Sequence, residues 1–242
     1  MKNSSVFVLW PYLAFALLLA GTALRTFMMW RHPSELAAQK SEAWAAFRGN
    51  RLWRLSLLVL LTGHLPALLF PRAILRWNSV PARLYALEAF FFVAGCIAVI
   101  SGGVVVWKQL GRSNSSLLVS AMDTVFLAFL MVGLVSGLVV AVMYRWASSW
   151  GAITMAPYVN SLLRGEPAVD FAAQMPFLAR LHVLSSFAAI AVIPFTRLST
   201  VLVGLIYSAA TLAARPLATA GNAVGVWLSK HNPGALFWPE ED

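Results

Sequence analysis

Residues 86–107, ALEAFFFVAGCIAVISGGVVVW, hold one charged side chain, Glu88. A helix of this length covers about 33 Å at 1.5 Å per residue, enough to cross a hydrocarbon core of about 30 Å. Lacking both the alternation of a half-buried strand and the polar stripe of a soluble helix, the stretch reads as a membrane span. Working outward, four more apolar runs of spanning length cover about 6–29, 53–70, 117–144 and 177–200. The first is expected to be a spanning helix rather than a signal peptide: only Lys2 precedes it, it runs past 20 residues, and it ends in Arg25 and Arg31 with no small-residue cleavage motif. The sequence therefore predicts an all-α membrane protein with a bundle of five transmembrane helices.

Composition agrees. Of 242 residues, 60% are hydrophobic and 11% charged, and the mean hydropathy is +0.75, which excludes an ordinary soluble enzyme. The net charge of +9 would suggest nucleic acid on a soluble domain; on a chain this apolar it reads as loop charge that sets orientation. With the N-terminus outside, the inner loops and helix ends collect Arg25, Arg31, Lys40, Arg48, Arg51, Arg54, Lys108, Arg112, Arg197, Arg215 and Lys230. That arrangement is N-out/C-in, with Arg72, Arg76 and Arg83 crowding an outer loop against the trend. Between Arg145 and Pro176, Gly151, Pro157, Gly165 and Pro167 predict a re-entrant or surface loop. Residues 1–200 form the membrane domain, and 201–242 an inner-surface or partner-contacting tail, because Arg197 would be stranded in a sixth span.

The single cysteine, Cys96, excludes an internal disulfide and multi-cysteine metal sites. Four histidines remain: His32, His64, His182 and His231. His64 lies seven residues before Pro71 and His182 six after Pro176, so each sits about 10 Å inside the same end of its helix. Two imidazoles at one level on different helices suit the axial positions of a haem b. They equally suit two histidines each hydrogen-bonded to a neighbouring helix. Zinc is disfavoured because Glu88 is the only further ligand type near that level. Gly63 and Ser101-Gly102-Gly103 leave room for flat rings or close helix packing, and Gly133 and Gly137 form a GxxxG helix contact. Asp123 is expected to pair with Arg112 or an arginine of the fifth helix, or to favour its own helix N-terminus. His32 lies beside Pro33 and His231 in a tail with Pro233 and Gly234, both outside the spans.

Several segments, in order along nearly the whole chain, carry a family resemblance. They are Trp10-Pro11-Tyr12-Leu13 with 21–25, Gly63-His64 before Pro71, and Gly102-Gly103 running to Lys108. Met122-Asp123, Arg180-Leu181-His182 and Pro194-Phe195-Thr196-Arg197-Leu198 follow. In these the chain resembles the gamma subunit of respiratory nitrate reductase, a five-helix membrane cytochrome b. The resemblance implies a multi-pass subunit of the inner (cytoplasmic) membrane that oxidises quinol and passes electrons to iron–sulfur and catalytic partner subunits. It makes His64 and His182 the axial ligands of one haem b. The family usually carries a second haem, on histidines about ten residues away in helix two and about eighteen, or five turns, away in helix five. Here those positions read Arg54 and Thr200, neither able to replace imidazole, so one haem is expected. The resemblance also places a quinone site near Gly63 and the start of helix three. The family has a lysine there; this chain has none, and Arg83 would orient a quinone oxygen while Glu88 takes a proton. The chain carries no motif for a terminal substrate, and a partner is implied, with the tail as its expected contact. The alternative is a haem-poor anchor that keeps the fold as a scaffold; a small-solute transporter is weaker, for want of repeat symmetry.

Overall fold

The computed structural model describes residues 5–31, 50–110, 121–144, 146–204 and 212. His32, His231 and Arg112 lie outside them. The backbone divides into two compact units, Met1–Thr200 and Val201–Asp242.

The described residues are helical and include no strand. Five helices are long and apolar enough to cross a membrane: α1 (Val6–Arg31), α2 (Arg51–Leu69), α4 (Pro81–Leu110), α5 (Ala121–Met143) and α9 (Phe177–Val192). Between them lie α3 (Pro71–Asn78), α6 (Ala147–Trp150), α7 (Ala156–Leu163) and α8 (Val169–Ala173). Pro71 and Pro81 open α3 and α4 at positions where a missing N–H costs nothing. Asn50 caps α2, its Oδ1 accepting the Trp53 amide at 3.1 Å while its Nδ2 reaches Ser101 O of α4 at 3.3 Å.

Two boundaries differ from the sequence reading. Helix α4 starts at Pro81, a turn earlier than the apolar run, and so carries Arg83 within it as well as Glu88. Helix α9 tightens into a 3-10 turn, Ile193–Phe195, and Thr196 is extended (φ −102°, ψ 167°). Pro194, which has no amide to donate, sits in that turn, and the fifth span ends before residue 200.

The expected loop over 145–176 is mostly helical. Gly151–Met155 is a π-helical turn joining α6 to α7, and Pro157 lies in the first turn of α7, where proline is tolerated. Trp146, at φ 62°, and Gly165, at φ +78°, take a left-handed backbone, which costs least at the glycine. Nor is the segment a surface loop: Ala156, Tyr158, Leu162, Ala172 and Met175 are buried with Phe7 and Ala14 of α1 and Ala179 and Val183 of α9. Lateral packing runs α2, α4, α5, α9, α1, each beside the next, and the 147–173 segment touches both α1 and α2 at the ends of that row. Tyr158 donates to Phe7 O at 2.5 Å, and Tyr12 to Leu162 O at 3.0 Å.

Tyr158→Phe leaves the fully buried ring but removes its bond to α1. Thermal unfolding in detergent is expected to show a loss of about 1 kcal/mol, the scale of a single hydrogen bond inside a membrane protein. An unchanged midpoint means that the bond is not a clamp.

A paired-histidine site between two helices

His64 of α2 and His182 of α9 face each other with ring centroids 6.1 Å apart and planes inclined by 37°. The helices that carry them do not pack as neighbours; the rings meet across the space between them. Each ring is fixed from behind. His64 Nδ1 lies 2.8 Å from Leu60 O, one turn earlier, and His182 Nδ1 lies 2.7 Å from Gly133 O of α5. A carbonyl only accepts, so each Nδ1 carries the proton, and in a neutral ring Nε2 keeps its lone pair. A backbone carbonyl behind each ring is the usual outer support of a metal-bound histidine.

The GxxxG pair seats His182. A Cβ on Gly137 would stand 2.8 Å from Cε1 and 2.9 Å from Nδ1 of the ring, while Gly133 supplies the carbonyl. Sequence reading took these glycines as helix contact alone. The missed signal was depth: Gly137 lies six residues from Met143, as His182 lies six from Pro176. Gly63 is likewise a packing glycine, its Cα face covered by the Phe91 ring of α4. Gly102 lies under the Trp53 ring and 2.8 Å in Cβ distance from Met131 Sδ, whereas nothing lies near Gly103.

Glu88 and Arg83 do not join the imidazoles. Glu88 Oε1 accepts from the Ser148 amide at 3.3 Å and the Ser148 hydroxyl at 3.0 Å. It thereby serves the first turn of α6, whose own N-cap, Trp146, is held at φ 62° and offers no side-chain acceptor. Asn78 Nδ2 donates to Ser148 Oγ at 3.0 Å and Ser149 Oγ at 2.9 Å, tying α3 to the same turn. Arg83 is exposed and lies over the Trp77 ring, 5.3 Å from its centroid.

The other end of the bundle is also polar but contains no described histidine. Asp123 Oδ1 accepts from Arg197 N at 2.9 Å and its Oδ2 is 3.4 Å from Arg197 Nε, one of the three alternatives the sequence left open, with Arg197 lying just beyond the end of α9. Arg25 is more than a loop charge: half-buried, it donates to Pro194 O at 3.2 Å and to Thr200 Oγ1 at 2.9 Å. Among the described residues no three His, Cys, Asp or Glu side chains gather into a metal site.

By residue type and separation, 6.1 Å between centroids with each Nδ1 engaged by a carbonyl, the two imidazoles fit residues that would hold a haem iron. Fold and site together define a five-helix membrane protein with one opposed histidine pair. The family model of the nitrate reductase gamma subunit matches residues 3–212, and the chain belongs to that family. Membership makes it a cytochrome b-type membrane subunit, in a family of haem-containing proteins that associate with other subunits of a redox complex. No curated protein matches the chain.

Gly137→Ala is expected to push the His182 ring from its seat and to cost about 1–3 kcal/mol by overpacking, while Gly103→Ala, in open space, is neutral. Thermal unfolding of the two variants side by side checks this. Equal stability would show that the glycine pair does not hold the ring.

Proposed function

We propose that the chain is the quinol-oxidising cytochrome b subunit of a respiratory complex of the nitrate reductase type, with a single b haem. The observation that carries the reading is the His64–His182 pair: opposed rings, correct separation, and both Nδ1 atoms already committed to carbonyls. His64 Nε2 and His182 Nε2 would hold the haem iron. The haem, when bound, supplies reversible one-electron chemistry. Leu60 O and Gly133 O keep the two rings in the tautomer that leaves Nε2 free, and Gly137 admits the His182 ring close to α5.

Quinol approaches on the side where Gly63 and His64 of α2 meet α4. Glu88 stands one turn from Phe91, the ring on Gly63, and its Oε1 is engaged by Ser148 while Oε2 is left to take a proton. Arg83, at the rim, orients a quinone oxygen when it swings from Trp77. The chain lies N-out/C-in in the cytoplasmic membrane, and residues 201–242 are the tail that contacts partner subunits. The anchor alternative draws on Arg54 and Thr200, the two positions where the family resemblance expects further histidines.

The purified chain should show one b-type haem in a reduced-minus-oxidised spectrum, lost in His64→Ala and in His182→Ala. No haem in the natural protein would leave the anchor reading instead. Glu88→Gln is expected to retain the spectrum and slow haem reduction by a short-chain quinol about 10²-fold, the scale of one general base; an unchanged rate removes Glu88 from proton transfer.

A further inference from the structure

We propose that Ser148, Ser149 and Asn78 form the exit by which protons taken from quinol leave Glu88, with an ordered water held at Asn78 Oδ1. This exit rests on the proposed role of Glu88 as the group that receives those protons. A quinol gives up two protons in turn, so a base that serves it must be emptied between them. Glu88 of α4 is bonded to Ser148 of α6, and Ser148 in turn to Asn78, the last residue of α3.

The bonds within the cluster fix its polarity. Ser148 has one hydroxyl proton, and it goes to Glu88 Oε1 at 3.0 Å. Towards Asn78 the same oxygen can therefore only accept, so the amide must present its Nδ2 to the serines. It does so at 3.0 Å to Ser148 Oγ and 2.9 Å to Ser149 Oγ. That leaves Oδ1 on the other arm of the amide. Asn78 is 8% exposed, and its Oδ1 is buried with no hydrogen-bond partner among the described residues. A buried amide oxygen without a donor calls for an ordered water, which itself needs at least two polar partners. Ser149 supplies the second: its oxygen accepts from Asn78, and its own proton goes to no acceptor among the described residues.

The cluster leads outwards, because Asn78 is followed by Ser79 and Val80, both exposed, in the turn between α3 and α4. On the elements packed against α4, the titratable and charged groups at this end are Arg72 and Arg76 of α3 and His64 of α2, while α4 itself adds Arg83. Beyond Glu88 the path therefore runs through neutral groups. Each turn of the exit balances. A proton leaves the quinol hydroxyl for Glu88 Oε2 as one electron goes to the haem iron. The neutral carboxyl no longer needs the Ser148 proton and turns its own towards Ser148 Oγ. The O–H bond on Glu88 breaks as one forms on Ser148, and the original O–H of Ser148 breaks as one forms on the water. The water sheds a proton to solvent, and Glu88 is a carboxylate again. The second proton and the second electron repeat the sequence.

The test uses the full, haem-loaded chain in lipid nanodiscs with a short-chain quinol. Ser148→Ala keeps the amide that bonds Glu88 at 3.3 Å and removes only the hydroxyl. It is expected to retain the haem spectrum and the rate of haem reduction by dithionite, which draws no proton through Glu88. Reduction by quinol should slow about tenfold, with a larger solvent deuterium isotope effect, and Ser148→Thr, which restores a hydroxyl, should recover the natural rate to within about twofold. Ser149→Ala leaves the Glu88 bonds untouched and should also slow the quinol reaction; it decides the matter if Ser148→Ala fails to assemble. A structure of the chain that resolves waters should place one at Asn78 Oδ1, whether or not haem is bound. Equal slowing with dithionite, or by alanine and threonine alike, makes the cluster a structural tie and overturns the exit. So does an undiminished quinol rate in the serine variants while Glu88→Gln is slow, or an Asn78 Oδ1 that holds no water. A Glu88→Gln variant that is itself not slowed overturns the role of Glu88, a failure told apart from that of the exit by this variant alone.

Discussion

A polar group inside a bilayer has no water to bond, so each must find its partner in the chain. That constraint arranges much of this molecule. Trp10 Nε1 turns to Leu184 O at 3.2 Å, and Tyr12 and Tyr158 bond the backbone of elements far away in sequence. Ser56, Ser101 and Ser136 return their hydroxyls to carbonyls of their own helices. Glu88 joins α4 to α6, Asp123 joins α5 to the end of α9, and Arg25 joins α1 to residues 194 and 200. The helices are laterally greasy, and these few bonds help to specify which helix lies where. The histidines obey the same rule. Satisfying Nδ1 with a carbonyl leaves Nε2 as the one nitrogen that still seeks a partner.

The two ends of the bundle resolve the constraint differently. At the His64 end, two imidazole rings lie 6.1 Å apart, each held at Nδ1 by a backbone carbonyl. At the opposite end, guanidinium, hydroxyl, carbonyl and carboxylate satisfy each other, and Trp53 closes over Gly102.

The five spans were legible because a bilayer imposes a length and a composition on any helix that crosses it, and 86–107 meets both without help from neighbours. The depth of His64 and His182 was legible for the same reason, since prolines mark the helix ends and rise per residue is constant. Sequence periodicity held no information on what lay between the helices. The buried helical segment over 147–163 was misread as a loop because glycine and proline signal breaks in isolation. Here Pro157 occupies a first turn and Glu88, sixty residues away in sequence from Ser148, supplies the cap.

What the sequence by itself determined is a membrane protein of five helices with two histidines at one level, because hydrophobic length and helix rise are local properties. Only the tertiary structure decided that the imidazole centroids come within 6.1 Å, that Gly133 and Gly137 form the seat of His182, and that Arg25 donates to Thr200. Those depend on how helices rotate about their axes and which lie side by side. That choice is made by pairing polar groups and fitting side chains against glycines, between residues the chain keeps far apart.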